Sequence, residues 1–150
     1  MNTGLERYIE FFESIGTQTP LRPVDVVTAD IHFRDPFNDL RGLAQFEGVI
    51  DEMCGSLGNL KIIVSHAAML DARIEQQAPI AAIRWDLSGN LRAFGNKFWQ
   101  VRGYSELDFS PDERVSRHFD YWDAARELYE ELPLIGLACR YVRRRLALKC

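Results

Sequence analysis

The spacing of apolar residues divides the chain into a helical beginning, a strand-rich middle and a helical end. Leu5, Tyr8, Ile9 and Phe12 recur at steps of three and four, the stripe of a helix with one buried face. Gly16 and the Pro20/Pro23 pair end it, and a short helix is expected through Pro23–Thr28, with Pro23 near its first turn. Ile31-His32-Phe33-Arg34-Asp35 alternates as a strand, and Pro36 closes it by removing a ladder donor. Residues 43–53 show helical spacing through Leu43, Phe46, Ile50 and Met53, with Gly55 and Gly58 as the stop.

Leu60–Leu70, Ile80–Leu87, Phe98–Phe109 and Arg114–Tyr121 read as strands. Between them, Gly95-Asn96 predicts a hairpin and Ser110-Pro111-Asp112-Glu113 a turn, with Ser88-Gly89-Asn90 as a bulge or irregularity. Asp123 stands at the N-cap of a helix over Ala124–Leu132; Pro133 breaks it, and Leu134–Lys149 begins another. Helices at the ends and strands between, without β-α-β alternation, indicate an α+β domain. One domain is expected: residues 1–132 as its body, and residues 133–150 as a basic amphipathic helix belonging to it.

Composition narrows the class. The chain has 150 residues, 47% of them hydrophobic, and a formal charge of −4, which fits a globular domain rather than a general nucleic-acid binder. No run has the apolar length of a membrane span, and the first fifteen residues carry too much charge for a leader peptide. Cys54, Cys139 and Cys150 have no metal-binding spacing and cannot all pair, so a reducing cytoplasm is the expected setting. A phosphate-cradling glycine loop, a nucleophile-elbow serine and a His/Cys metal set are missing, which leaves proton transfer with no required cofactor or metal.

Proton chemistry has two candidate locations. Ile31, Phe33 and Asp35 share one strand face, and a carboxylate on an apolar row loses hydration, which favours its neutral form. The ordinary alternative is that Asp35 caps the turn before Asn38 and Asp39. On the last strand Ser116, His118, Asp120 and Trp122 share a face, opposite Val115, Arg117, Phe119 and Tyr121. His118 and Asp120, two residues apart, make an acid/base unit or else a plain surface pair. Tyr8 is either simple core or a phenol whose partner is Asp35 or a ligand oxygen. Trp85, Phe94, Phe98, Trp99 and Tyr104 are core bulk that would equally wall an apolar cavity, and His32 and His66 are taken as structural.

Three segments in order carry a family likeness: Phe33-Arg34-Asp35-Pro36-Phe37, Gly103-Tyr104-Ser105-Glu106-Leu107-Asp108-Phe109, and Val115 through Asp123. Over residues 3–132 the chain resembles the nuclear-transport-factor-2-like superfamily. That superfamily includes ketosteroid isomerases, scytalone dehydratase, limonene-epoxide hydrolase and SnoaL-like polyketide cyclases. The resemblance implies a cone-shaped (cystatin-like) α+β roll, with N-terminal helices on the concave face of a curved mixed sheet; the C-terminal helix is extra to a minimal fold of this type. It also implies roles. Asp35 looks like the isomerase general base, Tyr8 the oxyanion-binding tyrosine, and His118 with Asp120 the closing-strand acid/base pattern of the cyclases. Ser105 falls where isomerases carry a protonated aspartic acid, and is a weaker donor. Phe33, Ser105, Trp85, Phe98 and Trp122 are the expected pocket residues.

The expected function is therefore acid/base chemistry of the isomerase, cyclase or dehydratase type on a small hydrophobic carbonyl compound. The alternative is a non-catalytic module for a lipid-like ligand or a protein partner. A homodimer is expected, with no nucleic-acid partner. Residues 134–150 hold five basic side chains and no acid, whereas the remainder carries nine net negative charges. That asymmetry suggests peripheral membrane contact or a lid over the pocket; the ordinary alternative is a helix packed on its own acidic domain.

Overall fold

The computed structural model describes residues 3–75 and 77–148, so Lys149 and Cys150 of the expected last helix lie outside the described residues. Helix α1 (Thr3–Ser14) buries Leu5, Tyr8, Phe11 and Phe12 along one face. Pro23–Asp25 makes a single 3-10 turn rather than the short helix expected through Thr28, because the chain enters strand β1 (Val27–Arg34) at once. Strand β2 (Asp39–Arg41), not anticipated, folds back antiparallel on β1 with Phe33 opposite Leu40. Its three residues are too short to show a period of two. Helix α2 (Leu43–Ser56) passes straight into β3 (Leu57–Leu70), so Gly55 and Gly58 do not form a break.

Strands β4 (Ile80–Leu91), β5 (Lys97–Phe109) and β6 (Val115–Tyr121) complete a six-stranded sheet in the order β2-β1-β6-β5-β4-β3. Neighbours are antiparallel except β1 and β6, which run parallel with Phe33 beside His118. The sheet is mixed, curved and unclosed, with helices packed on it: the α+β cone of nuclear-transport-factor-2-like proteins.

Bulges supply the curvature. Strand β4 stays regular through Ser88-Gly89-Asn90, and the irregularity sits on β3, where Asn59 and Leu60 together oppose Gly89. A Cβ on Gly89 would stand 3.2 Å from both the Gly58 carbonyl oxygen and the Leu57 Cβ, so the glycine lets the strands cross closely here. On β6 the register slips at Ser116, leaving Val115 paired with Phe109 and Arg117 with Asp108. That slip overturns strict alternation: Val115 is fully buried in the core, although it was expected opposite His118.

After β6, the Asp123 carboxylate accepts from Arg126 N at 3.0 Å and caps α3 (Ala124–Glu127). The expected continuous helix to Leu132 is instead this single turn followed by a 3-10 turn, Tyr129–Glu131. Leu134 then adopts φ +65°, ψ −61°, with Ile135 N donating to Pro133 O at 2.7 Å: a γ-turn that reverses the chain into α4 (Ile135–Leu146).

Candidate active site

The helices and the concave sheet face enclose a cavity of about 530 Å³. That is within the range that holds a small organic ligand. Its wall is mostly apolar: Phe12 and Ile15 near α1, Phe46, Val49 and Met53 of α2, and Trp85, Trp99, Val101 and Trp122 from the sheet side. Asp35, His118 and Asp120 are the titratable groups in that wall besides Glu52. Because Phe33 pairs with His118 in the parallel register, Asp35 and Asp120, each two residues further on, leave neighbouring strands at the same end.

A directional hydrogen-bond relay reaches the cavity from behind. Tyr8 is fully buried, and burial, with the Asp120 charge as a lesser cause, pushes its phenol well above the ordinary value of about 10. We assign the neutral phenol as the donor to Nδ1 of the fully buried His118, its hydrogen-bond partner among the described residues. With Nδ1 accepting, the imidazole proton is assigned to Nε2, which lies 2.6 Å from Asp120 Oδ1. The Ser105 hydroxyl donates to the same oxygen at 2.5 Å, while Trp85 Nε1–H donates to Ser105 Oγ at 2.8 Å. In this assignment His118 and Ser105, themselves hydrogen-bonded to Tyr8 and Trp85, both donate to Asp120. Its Oδ1 accepts both His118 and Ser105, and its Oδ2 has no hydrogen-bond partner among the described residues.

The relay depends on exact strand placement. Ser105 sits directly across from Asp120 on β5 and β6, and across from Ile83 on β4, two residues before Trp85. Trp85 itself pairs with Gly103, where a Cβ would stand 2.3 Å from the indole. The glycine lets the ring lie down over the strand and aim its N–H at Ser105.

Asp35 is placed differently. Its Oδ1 accepts from Phe37 N at 2.8 Å, Asn38 N at 2.6 Å and Asn38 Nδ2 at 3.0 Å. It caps the turn that carries β1 into β2, as the ordinary reading of Asp-Pro expects, while still forming part of the cavity wall.

Of the expected site residues, Asp35, His118, Asp120, Phe33, Trp85 and Trp122 line the cavity. Tyr8 and Ser105 do not line the cavity; the Tyr8 hydroxyl meets His118 rather than Asp35, and the Ser105 hydroxyl meets Asp120. Phe98 is 62% exposed and does not line the cavity. Phe98 and Ser105 are seven residues apart on one strand, so they face opposite sides, and Trp99 takes the inward place. The α2 wall is not marked as site by the sequence, although the helical spacing picks out three of its residues, Phe46, Ile50 and Met53. No group of three His, Cys, Asp or Glu side chains among the described residues is arranged to hold a metal ion.

The family model for the uncharacterized conserved proteins DUF2358 matches residues 5–118. The chain belongs to this family. No curated protein matches it in sequence. Solved structures of similar fold include an NTF2-like protein of unknown function from an Exiguobacterium species, with TM-score 0.64 and 13% identity over 81% of this chain and 98% of that one. A candidate SnoaL-like polyketide cyclase from a Jannaschia species has TM-score 0.63 and 15% identity over 82% and 87%. A protein of ketosteroid-isomerase-like fold from Catenulispora acidiphila, in complex with trimethylamine, has TM-score 0.60 and 17% identity over 79% and 86%. These place this DUF2358 chain in the NTF2-like fold, which hosts many chemistries.

Proposed function

We propose that this DUF2358 protein catalyses cofactor-independent proton transfer, of the isomerase, cyclase or dehydratase type, on a small, largely apolar carbonyl compound. The observation that carries this reading is the relay that converges on a single cavity-lining carboxylate. Asp120 removes a proton from the carbon next to the carbonyl through its free Oδ2, while His118 Nε2–H and the Ser105 hydroxyl hold Oδ1 in place. The electron pair moves onto the carbonyl oxygen, and the carboxylic acid so formed returns the proton to another carbon. Tyr8 acts through His118, by keeping the proton on Nε2, rather than by holding the oxyanion. The fold neighbour described as a candidate SnoaL-like polyketide cyclase supports the reaction class by analogy alone.

The test needs no native substrate. Deuterium uptake next to the carbonyl of an apolar cyclic ketone such as 2-decalone, in heavy water, reports the proposed step. The protein should accelerate uptake above buffer, and Asp120→Asn should remove about 100-fold or more of that acceleration. An Asp120→Asn variant that keeps the wild-type rate, or a wild type no faster than buffer, ends this reading and leaves a binding cavity.

A further inference from the structure

The last helix is attached by its polar side. Gly136 is the buried residue of α4, and a Cβ there would stand 2.4 Å from the Glu130 carbonyl oxygen. Arg140 Nη1 donates to that carbonyl at 2.5 Å, and Arg143 grips the Glu130 carboxylate at 2.7 and 3.0 Å. Gly136, Arg140 and Arg143 lie on one side of the helix, so the side across from them faces outward. That outward side carries Leu137, Tyr141 and Val142, which are 63%, 65% and 53% exposed, and Leu134 and Leu148, which flank the helix, are 80% and 88% exposed. An amphipathic helix of a globular domain normally turns such a stripe inward; here it is uncovered.

We propose that the outward face of α4 docks on an anionic lipid bilayer. Charge is the first reason. Arg144 and Arg145 border or interrupt the apolar stripe and have no carboxylate partner among the described residues, whereas the acidic remainder of the chain is repelled by an anionic surface. This end of the molecule carries the excess of positive charge that such a membrane attracts. The arginines can lift their heads to phosphates while the leucines and Tyr141 enter the acyl boundary. Shape is the second reason: a twelve-residue amphipathic helix, about 18 Å long, with its apolar side outward suits the plane of a membrane interface.

The docking stands without the acid/base reading, but it has a consequence for it. Helix α4 packs on the Tyr129–Glu131 turn, Tyr129 stands against Phe37, and Phe37 and Leu128 line the cavity. A docked α4 therefore brings the cavity rim near the lipid, where an apolar substrate collects.

Sedimentation of the full chain with vesicles of equimolar phosphatidylserine and phosphatidylcholine, at low salt, tests the docking. The protein should partition onto these vesicles and much less onto pure phosphatidylcholine, and added salt should weaken the binding. R144Q/R145Q should lower the partition coefficient about 30-fold. L137S/Y141S should lower it as well, with circular dichroism unchanged because these side chains are exposed. No sedimentation with anionic vesicles, equal partition onto both lipids, or an unchanged R144Q/R145Q variant overturns the proposal. A lipid-free dimer that L137S/Y141S dissociates also overturns it, and assigns the face to a second copy of the chain.

Discussion

Replacing Tyr8 with phenylalanine removes one oxygen and leaves the ring. The aromatic contacts with Phe11, Phe12 and His118, at centroid distances of 5.5, 6.2 and 5.7 Å, remain available, so the apolar burial nearly cancels between the two proteins. What changes is His118. Its ring is fully buried, and its Nδ1 loses the donor that fixes the tautomer. Leaving a buried acceptor unpaired costs about 1–3 kcal/mol. In a domain of this size each kcal/mol lowers Tm by ~2–4 °C. Urea unfolding followed by tryptophan fluorescence should therefore show a lower midpoint at an unchanged slope.

The pH dependence adds a second readout with a defined sign. Burial raises the Tyr8 phenol in the folded state above its unfolded value of about 10. The folded chain thus holds this proton after the unfolded chain has released it. Tyr8's contribution is complete below pH ~10 and declines as pH rises further, by up to ~1.4 kcal/mol per pH unit. Tyr8→Phe lacks that decline, while the other tyrosines are common to both proteins. The stability difference between them should narrow as alkali is added. A difference under ~0.5 kcal/mol that stays constant from about pH 8 to about pH 11 would refute the Tyr8–His118 pairing.

Two further outcomes test the frame around the relay. Gly103→Ala drives a methyl into the Trp85 indole, which should cost about 1–3 kcal/mol and shift the tryptophan emission as the ring leaves Ser105; unchanged emission and stability would show the ring is not held there. Asp35→Ala removes the acceptor of two backbone N–H groups and the Asn38 amide, and should lower urea stability by about 1–2 kcal/mol, whereas Asp35→Asn, which keeps a side-chain oxygen, should recover part of that loss.

Local sequence determined the elements that make their own case. The i, i+3, i+4 stripe of α1, the Asp123 cap and the turn at Gly95-Asn96, whose φ values are +66° and +58°, all follow from bonding or backbone preferences within a few residues. The candidate chemistry was legible for the same reason: His118 and Asp120 are two apart on a strand, and alternation alone puts them on one face. What neighbours in space decide could not be read along the chain. Tyr8 and His118 are 110 residues apart, and Ser105 and Asp120 meet only because β5 pairs with β6 in one register. Phe98 was misplaced because aromatic content shows bulk and not direction. Val115 was misplaced because one bulged residue reverses every face beyond it. The last helix shows the limit most plainly. Its amphipathic pattern is plain in the sequence, but only the closed contact of Gly136 with the Glu130 backbone decides which side turns inward. The order of residues gives a helix two faces; the surface it meets selects between them.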